Sequence, residues 1–276
     1  MEHKSLHNGF TIPTLGIGTF GIGGFDEPDP SNEEVYVNAL KKSIELGYTH
    51  IDTSERYAWG YSEELIGKAI QGVERDTLFI TSKVWETHLH FDDVIASAES
   101  SIRRMNCKYL DLYLIHFPNE TIPIKETMAA MNELVERGLV KYIGVSNFTK
   151  EQFVEAQKHS KHPLVANQLR HNIWSKNIDL ETINWCRNNN IMVIADKPLG
   201  RGKIVESVPF VVESIAAKYK KTAAQVILRW LTQKTNVVAI FKSTNDKHLE
   251  ENKNIFDFRL TDKEAEDIDS LITSSW

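Results

Sequence analysis

The chain has 276 residues, a formal charge of −6, 41% hydrophobic and 25% charged residues. That balance is ordinary for a globular protein, and no basic run offers a surface for nucleic acid or an acidic membrane. Two cysteines, Cys107 and Cys186, occur without a CxxC pair, which points to a reducing compartment. The opening MEHKSLHNGF lacks an apolar stretch of signal-peptide length, and no run approaches a membrane span. A cytoplasmic protein is expected.

Asn8-Gly9, between short β-prone stretches, is a two-residue hairpin signal. Strand runs then follow at 15–18, 48–51, 78–80, 112–115, 142–145, 165–167, 191–195 and 237–240. They are apolar and β-branched without strict alternation, as strands covered on both faces are. Helical patterns separate them. Phe91, Val94, Ile95, Ala98, Ile102 and Met105 make one apolar stripe. Capping boxes are expected at Ser31 with Glu34, Thr149 with Gln152, Thr222 with Gln225 and Thr261 with Glu264, and Ser62 as an N-cap. Two further helices are predicted at 246–254 and 262–272, outside the eight units. Eight strand–helix units over about 250 residues predict an α/β fold. The expected architecture is a single-domain (β/α)8 TIM barrel over residues 1–276 with an N-terminal hairpin. An open doubly wound sheet is the alternative, but no GxGxxG follows the first strand.

In such a barrel the chemistry sits where strands end at the C-terminal face. Polar residues follow the apolar runs there: Asp52 and then Tyr57 in HIDTSERY, Lys83 in FITSKVW, His116 in LYLIHFP, Ser146 and Asn147 in IGVSNF, and Gln168. An ammonium near a phenol favours the phenolate and lowers its pKa. A carboxylate keeps that ammonium charged and in place, and an imidazole can hold a carbonyl oxygen. Asp52, Tyr57, Lys83 and His116 together would polarise a carbonyl and give it a proton. Something else must attack the carbon.

These residues stand in segments that resemble the aldo-keto reductase superfamily. The landmarks are LGIGTFGIGG, GYTHIDTSERY, FITSKVW, DLYLIHFP, KYIGVSNF, NQLRHN, KPLGRG and KSTNDKHLEEN. The resemblance runs from about Leu15 to about Asn252. It implies a metal-free (β/α)8 enzyme that reduces aldehydes and ketones, or oxidises the alcohols, with NADPH/NADP+. It also implies Tyr57 as general acid, Lys83 lowering its pKa, Asp52 supporting Lys83 and His116 orienting the carbonyl. For the cofactor it implies Ser146, Asn147 and Gln168 at the nicotinamide carboxamide, and Thr19 and Phe20 at the ribose. Pro198, Leu199, Gly200, Arg201 and Gly202 match the pyrophosphate loop. Lys242, Ser243 and Thr244 match the clamp on the 2′-phosphate, with Glu251 and Asn252 near the adenine.

Two positions depart from the family pattern. His248 stands where an arginine usually completes the 2′-phosphate clamp, so a weaker NADPH preference is expected, with NADH as a weaker or dual cofactor. Asp196 stands where an aromatic ring usually stacks on nicotinamide. Arg170 is unusual too, and an Asp196–Arg170 ion pair is one expectation; the other is that Asp196 pairs with Lys197 or points to solvent. Phe20, Phe25, Trp59, Trp85 and Phe117 are expected around the mouth, and Arg170 is a candidate for an anionic substrate. The short segment after the last helix points to an open site for small carbonyl compounds. Glu86, His88 and His90 in ETHLH are expected at the rim, not on a metal. A monomer or weak dimer is expected. Two rival functions stay open: a Schiff-base lyase using Lys83, and a catalytically weak NADPH-sensing regulatory subunit.

Overall fold

The computed structural model describes residues 1–176 and 178–273. The chain opens with an antiparallel pair, β1 (His3–Ser5) and β2 (Thr11–Pro13). Eight parallel strands follow and close into a barrel: β3 (Leu15–Gly18), β4 (His50–Asp52), β5 (Phe79–Val84), β6 (Leu110–Ile115), β7 (Val140–Ser146), β8 (Leu164–Arg170), β9 (Met192–Asp196) and β10 (Val237–Phe241). β10 pairs with β3, with Ala239 opposite Leu15, and this closes the sheet. The helices around it are α1 (Glu33–Glu45), α2 (Tyr61–Ala69), α3 (Phe91–Arg104), α4 (Ile124–Glu136), α5 (Lys150–Lys158), α6 (Leu180–Asn188), α7 (Lys203–Glu206), α8 (Phe210–Tyr219), α9 (Ala223–Gln233), α10 (Asp246–Lys253) and α11 (Asp262–Thr273). This is the expected (β/α)8 barrel. Among the described residues, no helix is long and apolar enough to cross a membrane.

The hairpin belongs to the barrel interior. Leu6, Phe10 and Ile12 pack with Leu112, Leu114, Val165, Met192, Ile194 and Val238. Phe10 meets the rings of Phe79 and Tyr142 edge-on, at 6.0 and 5.0 Å. The turn is longer than a two-residue loop. Leu6 N donates to Phe10 O at 2.8 Å, and the Asn8 side chain accepts from Phe10 N at 3.1 Å. Gly9 N also donates to Leu6 O at 3.1 Å and Gly9 has φ 86°, so His7, Asn8 and Gly9 form a three-residue loop with the glycine left-handed. A second, larger core lies between the strands and the surrounding helices.

The predicted helix starts are mostly met. Thr149 with Gln152 and Thr222 with Gln225 form reciprocal capping boxes, and Thr261 with Glu264 makes both bonds as well. Ser31 does not cap α1; Asn32 precedes that helix, and Asp29 caps the short turn before it. Ser62 lies inside α2, where its hydroxyl donates to Ile22 O and ties the β3–α1 loop to the helix. Helix α10 follows the last barrel strand directly, so it completes the eighth unit. The β9–β10 connection carries three helices, α7, α8 and α9.

His50 and His171 are buried, and burial pushes both imidazoles down to about 3. The His50 ring lies against Gly16, where an added Cβ would come within 2.5 Å of Nδ1. In the unfolded chain these histidines take protons near pH 6.5; in the folded chain they do not. Stability is therefore expected to fall as pH drops from about 6.5 to about 5, by about 1.4 kcal/mol per unit for each such histidine. Urea midpoints measured across that window should decline. A flat profile would mean that the rings accept protons in place.

Candidate active site

The strand ends of β4, β5, β6, β7 and β8 bring the expected polar residues to one mouth. Asp52 closes β4 rather than following it, and Lys83 lies inside β5, one residue before its end. Lys83 Nζ donates to Asp52 Oδ1 at 2.6 Å, to Thr53 O at 2.7 Å and toward the Tyr57 hydroxyl at 3.5 Å. The two side chains of the ion pair are 0% and 1% exposed. Asp52 Oδ2 accepts from Gln168 Nε2 at 2.7 Å. Burial is the largest single influence and would lower the Lys83 pKa, but Asp52, by charge and hydrogen bond, together with Tyr57 and Asp196 raises it overall and holds the ammonium charged.

Tyr57 sits on the turn after β4, half-buried, with its ring edge-on to Phe20 at 5.2 Å and to His116 at 5.8 Å. Burial pushes its hydroxyl up to about 12. The Lys83 ammonium acts the other way without reversing this, and Asp52 and Asp196 add to the rise. The sequence-based expectation of a lowered phenol pKa is thus corrected: desolvation of the phenolate outweighs one ammonium at 3.5 Å. Tyr57 stands fully protonated at neutral pH.

His116 is buried and stacks on Phe117 at 5.0 Å, with Trp85 edge-on at 5.2 Å. Burial first, then Lys83, Lys197 and Arg56, hold it well below the usual imidazole range. Its Nδ1 lies 2.9 Å from Ser54 Oγ. The Ser54 hydroxyl has one alternative acceptor, Lys83 O at 3.4 Å, and its oxygen already accepts from Arg56 N at 3.3 Å. With the Ser54 proton given to Nδ1 rather than to Lys83 O, neutral His116 carries its own proton on Nε2. Ser54 was not singled out in the sequence. Its place between Asp52 and Tyr57 on one turn was the available signal.

Two cavities meet at this mouth. The larger, about 820 Å³, is lined by Thr19, Phe20, Asp196, Pro198, Leu199, Arg201, Gly202, Lys242, Ser243, Thr244 and His248 among others. The smaller, about 180 Å³, is lined by Phe20, Phe25, Arg56, Tyr57, Trp85, His116, Phe117, Ser146, Asn147 and Gln168 among others. Tyr57, Phe20, Phe25, Asp26, Asp196, Lys197 and Arg201 line both. Ser146 Oγ donates to Gln168 O at 3.1 Å, and Asn147 Nδ2 donates to His116 O at 3.0 Å. Gly200, Arg201 and Gly202 all have positive φ, at 66°, 56° and 94°. That turn presents backbone to the larger cavity, as close approach of a phosphate requires. Among the described residues Lys242 forms no ion pair, so its charge is available to an anion there.

Several expected residues lie elsewhere. Asp196 does not pair with Arg170. Its carboxylate accepts from Lys197 Nζ at 2.6 Å, although Arg170 and Asp196 are opposite each other in strand register. Lys197 has φ 52°, in the left-handed region. Arg170 is exposed and lines neither cavity. Trp59 is 58% exposed and lines neither. Glu251 and Asn252 lie on α10 outside both linings, and Gly200 is set back between Leu199 and Arg201. His88 and His90 each face a carboxylate, Glu55 and Glu126, at 3.1 Å. Among the described residues no group of three such side chains is arranged around a metal position.

Residues 14–273 match the model of the Aldo/keto reductase family. The chain is 36% identical over 268 residues to glyoxal reductase of Bacillus subtilis, spanning 96% of this chain and 91% of that protein. It superposes with a TM-score of 0.92 on the thermostable aldo-keto reductase Tm1743 in complex with the inhibitor epalrestat, at 44% identity, covering 98% of this chain and 100% of that one. An aldo/keto reductase from Klebsiella pneumoniae in complex with NADP and acetate superposes with a TM-score of 0.85 at 30% identity, over 98% and 95% of the two chains. With the family model matched from residue 14 to residue 273 and a relative 36% identical over nearly the whole length of both chains, this closed (β/α)8 barrel belongs to the aldo/keto reductase family.

Proposed function

We infer that the protein reduces small aldehydes and ketones with NADPH, and oxidises the alcohols in reverse, with Tyr57 as proton donor. One observation carries this reading. The Tyr57 hydroxyl is protonated, faces the Lys83 ammonium at 3.5 Å, and lies on the wall shared by the two cavities. The donor set of the larger cavity fits a dinucleotide phosphate: a positive-φ loop for the pyrophosphate and Lys242 for the 2′-phosphate. A reduced nicotinamide supplies hydride to the carbonyl carbon. The protein does the rest. His116 Nε2–H holds the carbonyl oxygen and Tyr57 gives it the proton that balances the hydride. Lys83 steadies the phenolate left behind, and Asp52 holds Lys83. Phe20, Phe25, Trp85 and Phe117 keep water from the reacting carbonyl.

A Schiff-base role for Lys83 fits poorly. Attack on a carbonyl needs a neutral amine, while this ammonium is held charged and directs its protons to Asp52, Thr53 and Tyr57. The test of the reductase reading is loss of NADPH absorbance with a panel of aldehydes, ketones and sugars. NADPH that binds without turnover of any of them would move the protein to a sensing role.

Lys242 is expected to keep NADPH ahead of NADH in affinity, by a narrower margin than an arginine at His248 would give. His248→Arg should widen the ratio of dissociation constants on the order of tenfold, because a guanidinium binds phosphate bidentately. Equal wild-type affinities for the two cofactors would remove the NADP assignment.

A further inference from the structure

The smaller cavity has a charged wall that the proton transfer does not use. Arg56, Lys197 and Arg201 line it, against Asp26 and Asp196. Lys197 and Asp196 are closed on each other at 2.6 Å. Among the described residues the Arg56 side chain makes one ion pair, with Asp26 at 3.4 Å, and the Asp26 side chain is 88% exposed while Arg56 is 25% exposed. Water screens such a pair. A guanidinium carries five N–H donors in one plane. Side-chain hydrogen bonding of Arg56 uses one of them, at the limit of hydrogen-bond length.

The head group is nonetheless held in place. Arg56 Cζ lies over the Trp59 ring at 4.4 Å and over the Trp85 ring at 5.5 Å. Indole faces cover the faces of a guanidinium and leave its N–H edge free. Trp59 reaches this position through a turn in which Ala58 and Trp59 both have positive φ, 47° and 51°. That backbone is unfavourable for residues with a side chain and persists only where surroundings enforce it. Ala58 N donates to Phe25 O at 3.2 Å and anchors the turn to the facing loop. Trp59 lines neither cavity, and its ring lies against the Arg56 guanidinium.

Resting on the reductase reading, we propose that Arg56, braced by Trp59 and Trp85, binds the carboxylate of the substrate. The favoured substrates are then small aldehydes and ketones with an acid group a few bonds from the carbonyl. Arg56 and His116 line the same cavity, so one short molecule can engage both. Arg56 is also near enough for its charge to help keep His116 neutral. Ser146, Asn147 and Gln168 line the same cavity, so the nicotinamide takes part of it and what is left beside Arg56 and His116 suits a short chain. Arg201, over the Phe20 ring at 4.8 Å, adds positive charge at the junction of the two cavities.

Succinic semialdehyde and butanal have carbon chains of equal length and differ in the acid group. Their kcat/KM values, taken at saturating NADPH, give one ratio per variant. Wild type should favour the semialdehyde. In Arg56→Gln the ratio should fall on the order of ten- to hundredfold, mainly through KM. Trp59→Ala should lower it by part of that. An unchanged ratio in Arg56→Gln, or a wild type that favours butanal, overturns the proposal. Glyceraldehyde 3-phosphate against glyceraldehyde is the second arm; a larger gain there than for the carboxylate pair would assign the subsite to phosphate and overturn it too. If wild type turns over no aldehyde, the reductase reading fails instead. Quenching of tryptophan fluorescence by succinate, expected in wild type and lost in Arg56→Gln, then decides the subsite by itself.

Discussion

Tyr57→Phe is expected to lower kcat for aldehyde reduction by about three orders of magnitude, within the range for loss of a positioned general acid, while NADPH still binds. The ring contact with Phe20 at 5.2 Å and the packing near His116 survive the change, so the fold should not suffer. The hydroxyl alone is removed. Because burial places Tyr57 at about 12, reduction should show no limb from this group between about pH 6 and about pH 9. Alcohol oxidation needs the phenolate, so its rate should climb with pH through the same interval. Rapid-mixing measurements in both directions check the two statements together. Residual reduction within tenfold of wild type would end the assignment of Tyr57 as proton donor.

Lys83→Met should be the most destabilising single change at the mouth. It leaves Asp52, 1% exposed, as a buried carboxylate whose ammonium partner at 2.6 Å is gone. Removing one member of a buried pair typically costs about 3–5 kcal/mol. The Gln168 bond to Asp52 at 2.7 Å remains but carries no charge. Asp52→Asn combined with Lys83→Met removes both charges and keeps an acceptor for Gln168. The double variant should therefore be more stable than Lys83→Met alone, yet inactive. Urea unfolding of the two single variants and the double gives the coupling. Strict additivity would show that the pair contributes nothing to stability as a pair.

Much of the barrel was legible because its signals are local. Apolar β-branched runs, capping boxes at Thr149, Thr222 and Thr261, and polar residues at strand ends each follow from nearby chain chemistry. The four polar residues that meet at the mouth stood out for the same reason: Asp52, Lys83 and His116 mark the ends of three apolar runs, and Tyr57 the turn after one. Ser31 and Ser62 misled because a capping motif states only a local option, and contacts to Asp29 and Ile22 decided those helix starts otherwise.

By itself, then, the sequence determined the eight-strand barrel, the polar residues at its strand ends and the family, but not which helices stand outside the eight units. Tertiary structure alone decided which charges meet. Asp196 pairs with Lys197, its neighbour, and not with Arg170 opposite it in the sheet. Arg56, Trp59 and Trp85 come together only when the turn after β4 meets the end of β5. The sign of the Tyr57 shift was out of reach for the same physical reason. Desolvation depends on what surrounds a group in space, and spacing along a chain does not record it.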